Sequence, residues 1–194
     1  MLDQFAKTDS NEAERLYLQA SIRTAENKVD DALTLYRTAW GIKPLEQVAE
    51  AIYGIYQTQK KTDLMNAFGK EWSEKLPKSY RATLVNAISA QQANNQEEAL
   101  KWYEKTVELA PKMPAALNNL AWMYYEKKDE RAEEIARRAY ELAPNSSAVL
   151  DTYGWILVEK GKVAEGLEYL QRAAAAAPDN KEILDHVKEA QKRK

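Results

Sequence analysis

Five of the six prolines in this chain stand at Pro44, Pro77, Pro111, Pro144 and Pro178, with spacings of 33, 34, 33 and 34 residues. So even a spacing marks a stacked repeat, each unit long enough for two helices and a turn. The stretch ahead of each proline reads as a helix, as in DDALTLYRTAWGIKP, EEALKWYEKTVELAP, RAEEIARRAYELAP and AEGLEYLQRAAAAAP. Proline ends the second helix of the unit because it has no N–H to continue the ladder and disfavours helix in the residue before it.

Small residues recur on the same period. Ala20, Ala87, Ala121 and Gly154 share one slot of the first helix, and Ala32, Ala99, Ala132 and Gly166 share one slot of the second. Small side chains let two antiparallel helices approach closely. Leu16, Leu117 and Leu150, with Tyr36, Tyr103 and Leu170, are the larger knobs. The segments AENKVDD, ANNQEE, EKKDE and EKGKVAE carry turn signals where the helices reverse. Taken together these positions resemble the tetratricopeptide repeat, whose signature is a large residue, leucine with glycine or alanine, a tyrosine, two alanines and a closing proline. The resemblance predicts an all-α fold, a right-handed superhelical α-solenoid of about five repeats at 13–45, 46–79, 80–113, 114–146 and 147–180. Residues 1–12 are an N-terminal extension in this division. Residues 181–194, with Ile183, Leu184 and Val187 on one side and charges elsewhere, read as a polar-backed capping helix. Repeat four has a turn one residue short. Repeat two departs from the pattern: Tyr53 takes the small slot with Gly54 one residue later, and Met65, Gly69 and Trp72 replace its second-helix residues. Either the register slips there or the helix pair splays.

Composition narrows the function. Lys plus Arg number 28 against 30 Asp plus Glu, a formal net charge of −2, and residues 1–79 hold 11 basic and 12 acidic side chains. No basic stripe exists to suit nucleic acid, and the terminal KRK reads as a solvated helix end. With no cysteine, disulfides, thiolate chemistry and zinc–sulfur sites are excluded. No apolar run approaches the roughly 18 residues that span a bilayer, and the opening LDQFAKTDSNEAERLY lacks the form of a secretory signal. The compartment stays open between cytoplasm and periplasm or envelope. Catalysis finds no constellation. His186 is the only histidine, so no triad or multi-histidine metal site can form. The six glycines are scattered. Pairs such as Glu97-Glu98 and Glu133-Glu134 sit at helix starts, where they favour the dipole. Neither cofactor nor metal is expected, and the chain is read as a non-enzyme.

The resemblance implies that first helices line a concave groove that holds a peptide or helix of a protein partner. Projected onto this sequence, the groove residues are Tyr17 and Ser21; Arg81, Leu84, Ile88 and Gln91; Asn118, Asn119, Trp122 and Tyr125; and Asp151, Trp155, Val158 and Glu159. Trp122 and Trp155, 33 residues apart, share a slot that Ile88 fills one unit earlier. They form an exposed aromatic row if they face the groove, or pack on the following repeat if they do not. Asn118 and Asn119 can pair with any peptide backbone, since an amide both donates and accepts, or can simply be solvated. Trp40, Trp72 and Trp102 fall on second helices and read as packing residues. The chaperone-binding subtype grips a C-terminal carboxylate with lysines, asparagines and arginine; Tyr17 and Ser21 stand where that clamp begins, so this ligand is not expected. The closing repeats are also similar in style to bacterial tetratricopeptide proteins of envelope and exopolysaccharide systems, including PEP-CTERM-associated lipoproteins. An interaction scaffold is thus the leading expectation. The alternative is a self-associating module and possible homo-oligomer, because the first helix would leave an apolar face uncovered.

Overall fold

The computed structural model describes residues 9–194, so the expected extension lies outside the described residues through position 8. Among the described residues there are eleven α-helices and no strand. They are α1 (Asp9–Ala25), α2 (Val29–Ile42), α3 (Glu46–Thr58), α4 (Thr62–Lys75), α5 (Tyr80–Gln92), α6 (Gln96–Leu109), α7 (Pro114–Glu126), α8 (Ala132–Leu142), α9 (Ser147–Glu159), α10 (Val163–Ala176) and α11 (Lys181–Lys192). The all-α repeat fold expected from the proline period is the one observed. Each of the five periodic prolines lies between an even-numbered helix and the next odd one, and the sixth, Pro114, opens α7, where its missing N–H costs nothing.

Every hairpin turns through the same device. Asn27, Lys60, Asn94, Lys128 and Gly161 have φ of 60°, 55°, 57°, 57° and 83°. The N–H of the next residue reaches back to a carbonyl five positions earlier: Lys28 to Arg23, Lys61 to Tyr56, Asn95 to Ala90, Asp129 to Tyr124 and Lys162 to Leu157, at 2.8 to 2.9 Å. This left-handed closure satisfies carbonyls that the ending helix would leave bare. The short turn of repeat four is absorbed by its second helix. α8 has 11 residues where α2, α4, α6 and α10 have 14, and Asp129 accepts the Arg131 N–H at 2.9 Å in place of a first helical turn.

The chain forms two compact units, residues 1–86 and 87–194. In the first, Ala20 and Ala32 are fully buried where α1 meets α2, and Trp40, Ile52, Tyr56, Phe68 and Trp72 make the larger part of the core. The irregular repeat is filled by rings: Trp40 and Tyr56 lie 5.4 and 6.2 Å from Phe68, and Tyr53 lies 6.2 Å from Trp72. α3 and α4 run less closely than α1 and α2. Gly54 does not act as the small slot, since a Cβ there would meet nothing within 4 Å. Gly69 does, but toward α5: the buried Asn86 donates to its carbonyl at 3.0 Å and to Ser73 Oγ at 3.1 Å.

In the second unit the close approach is tightest between α9 and α10. A Cβ on Gly154 would stand 2.8 Å from the Gly166 carbonyl, and one on Gly166 would stand 2.5 Å from the Gly154 carbonyl. All of α9 from Val149 to Val158 is buried, against α7, α8, α10 and α11. α11 packs on α9 and α10 through the buried Ile183 and Ala190.

These packings set opposite outcomes for one kind of substitution. Helix propensity favours alanine over glycine by about 1 kcal/mol, while overpacking against backbone costs about 1–3 kcal/mol. Gly54→Ala should therefore raise the urea midpoint and Gly166→Ala should lower it, both with little change in m. A stabilised Gly166→Ala protein would show that α9 and α10 do not meet as described.

Candidate functional site

Tyr17 and Ser21, expected to line a groove, are half-buried on α1; Tyr17 lies 5.7 Å from the Tyr36 ring and Ser21 Oγ is 3.1 Å from its hydroxyl. Arg81 is exposed and pairs with Glu50 at 2.7 Å, while Leu84 is half-buried. These four belong to the first unit, where Arg81 lines a pocket with Glu46, Leu76, Pro77, Lys78, Ser79 and Tyr80.

The second unit brings five of the expected residues together. Gln91 from α5, Asn118, Asn119 and Trp122 from α7, and Asp151 from α9 line a cleft of about 310 Å³. Ala148 and Thr152 of α9 complete that wall, and Asn180, Glu182 and Ile183 at the start of α11 form the other side. A hydrogen-bonded chain organises its floor. The Asn119 amide donates to the Tyr103 hydroxyl at 3.1 Å, which donates to Gln91 Oε1 at 2.6 Å. Burial raises the Tyr103 pKa, partly opposed by the Asn119 bond. Asn118 Oδ1 is closed to solvent and accepts no hydrogen bond, a state that costs about 1–3 kcal/mol.

Of the other expected residues, Tyr125, Trp155 and Val158 pack with Val187 and Ala190 of α11. Trp155 is only 9% exposed and Val158 is buried, so an open aromatic row does not form. His186 of α11 stacks on the Trp155 ring at 4.3 Å and 16°, and the Arg193 guanidinium lies 5.3 Å from the ring centroid. Trp155 donates through Nε1 to the Tyr125 hydroxyl at 3.0 Å. Trp122 stays half-buried, donates to Glu126 at 3.0 Å and lies 6.2 Å from the His186 ring. Ile88 is half-buried on α5, and the exposed Glu159 pairs with Arg193 at 2.5 Å. The two tryptophans thus have different roles: Trp155 packs on the following helix, and Trp122 borders the cleft.

Asp151 is buried and reaches His186 Nδ1 with both oxygens, at 2.9 and 3.1 Å. Burial, the largest single influence, works against the imidazolium. The hydrogen bond and charge of Asp151, with Glu182 and Asp185, outweigh it and raise the His186 pKa above its ordinary value. Counting histidines places His186 outside any triad or multi-histidine metal site but does not predict this pair. The signal was its register: Ile183 falls 33 residues after Leu150, so α11 continues the slots of a further first helix.

Residues 75–147 match the tetratricopeptide repeat family, and solved structures of that family share the fold. YrrB, described as a tetratricopeptide protein with an unusual peptide-binding site, superposes with a TM-score of 0.70 at 15% identity over 90% of each chain. Residues 75–147 carry tetratricopeptide repeats. PilF of Pseudomonas aeruginosa also has a TM-score of 0.70 at 15% identity, covering 95% of this chain and 88% of that one. In sequence, the chain is 30% identical over 113 residues to the photosystem I assembly protein Ycf3 of Rippkaea orientalis (strain PCC 8801 / RF-1), covering 58% of this chain and 59% of that protein. The same protein of Cyanophora paradoxa is 28% identical over the same extent. The chain spans about 59% of the length of these curated relatives.

The sign of the His186 shift fixes a pH dependence in this tetratricopeptide unit. A raised folded pKa means that the pair's stabilisation is complete below the ordinary value of about 6.5 and is lost as pH climbs through the folded value. The urea midpoint of the native chain should therefore fall between acid and mildly alkaline pH by more than that of His186→Asn. Equal slopes for the two proteins would remove the pair from the account.

Proposed function

We propose that the chain is a non-catalytic scaffold whose second unit holds an extended segment of a protein partner in the cleft between α7, α9 and α11. The observation that carries this is the ligand-ready chemistry of that cleft. Four carboxamides and a half-buried tryptophan surround about 310 Å³ of space, and the Asn119 carbonyl, beside the N–H that Asn119 gives Tyr103, can accept a peptide N–H. Its single histidine is engaged in packing, which favours a holding role over a chemical one. The partner's setting is a matter for proposal too. Kinship with photosystem I assembly proteins supports a role in bringing subunits together, whereas the envelope and exopolysaccharide setting has only the repeat style behind it. A lipobox cysteine ahead of this segment in its gene would favour the latter.

Pull-down with the intact array against an Asn118→Leu, Trp122→Ala variant tests the cleft. The variant should lose most of the partners recovered by the native chain. Removing the unpartnered amide should leave Asn118→Leu at least as stable as the native chain, because an apolar side chain has no acceptor to strand. Undiminished recovery by a folded variant would move binding away from the cleft.

One observation favours self-association as a second reading. Leu18 and Ile22, one turn apart on α1, are 61% and 58% exposed, an apolar pair suited to meeting a second copy. Sedimentation over a range of concentrations should then show a dimer that Leu18→Glu, Ile22→Glu abolishes; a monomer throughout removes the idea.

A further inference from the structure

The cleft of the second unit is one-sided in charge. No lysine or arginine lines it, while Asp151 and Glu182 both do. Asn119 uses an N–H on Tyr103, leaving its carbonyl to a ligand. Asn180 turns its own oxygen inward, accepting the Glu182 and Ile183 N–H groups at 3.1 and 3.3 Å, which fixes Glu182 on the first turn of α11. Glu182 is exposed at the rim, whereas Asp151 is buried at the back against His186. Trp122 adds an aromatic wall, and a cation over such a ring is attracted by its quadrupole. What the lining lacks is a lysine or arginine, and a ligand's own cationic side chain brings that charge together with N–H donors for the carboxamide oxygens.

We propose that the cleft takes the cationic side chain, lysine or arginine, of an extended peptide segment, with Glu182 as countercharge, Trp122 as the ring beside the stem and the Asn119 carbonyl as an acceptor for its N–H. This rests on the reading that the cleft holds a peptide, and sharpens it to the charge of the residue that anchors there. An anionic or purely apolar anchor would face the Glu182 carboxylate with nothing to answer it, while Asp151 stays with His186.

The test uses the full chain and a short capped alanine–serine peptide carrying one central lysine, arginine, norleucine or glutamate, titrated by NMR. The Trp122 indole and the Asn118 and Asn119 side-chain amides are the reporters. Lysine and arginine peptides should shift these resonances and bind about tenfold more tightly than the norleucine peptide, the range of a hydrogen bond to a charged group. The glutamate peptide should not bind. Glu182→Gln should weaken the lysine peptide about threefold to fivefold, the scale of an exposed ion pair, while Glu168→Gln, the same charge change on exposed α10, should leave it unaltered. Equal affinity of lysine and norleucine peptides, with the same reporters moving, would overturn the cationic anchor and leave the peptide cleft standing. Equal weakening by both substitutions would also overturn it, since the attraction would then come from the general field of the chain. If no peptide moves the reporters, the cleft reading fails along with the proposal built on it.

Discussion

The crossing of two helix backbones at residues without bulk is the constraint from which this structure follows. At Gly154 and Gly166 the carbonyl of each helix lies where the other's Cβ would be, so α9 and α10 can meet only because neither position has a side chain. The buried Ala20 and Ala32 do the same for α1 and α2. Drawn that close, a helix pair shields one strip of each helix and leaves the remaining apolar surface open. That surface closes only against the next pair, which is why the unit recurs instead of standing alone.

The same logic explains why α11 matters to function. α9 is apolar enough to need neighbours on every side, and α11 supplies the last of them by taking the place of a following first helix. In doing so it covers Trp155 with an imidazole and a guanidinium, and its first turn becomes one wall of the cleft. A helix that finishes a core therefore also shapes the space beside it. The buried carboxylate of Asp151 joins the two roles, lining the cleft while holding His186.

Much of the fold was legible because its signals are local and periodic. Proline spacing located the links between pairs, and the small slots located the crossings that Gly154 and Gly166 now display. The cleft was legible in part: Gln91, Asn118, Asn119, Trp122 and Asp151 fall in slots that the tetratricopeptide resemblance turns inward. The exposure of Trp155 could not, since Trp122 and Trp155 share a slot and differ only in what lies over them. That difference depends on α11, whose sequence shows an amphipathic helix without stating where its apolar side will rest. The Asp151–His186 pair joins residues 35 apart, outside any motif, and follows only once α11 is placed in the repeat's own register. In repeat two, Gly54 looked like a displaced small residue because spacing cannot tell an inward position from an outward one.

The hairpins have a consequence for how the pieces hold together. Four of the five bend at a residue other than glycine in the left-handed region, a conformation that asparagine tolerates and lysine resists by about 1–2 kcal/mol. The corners therefore oppose folding slightly, and the hydrogen bond across each turn offsets only part of that. Cohesion has to arrive from neighbouring layers. A single pair excised from the chain, such as α1 with α2, would have little reason to stay folded, so the smallest independent piece of this protein is several hairpins deep.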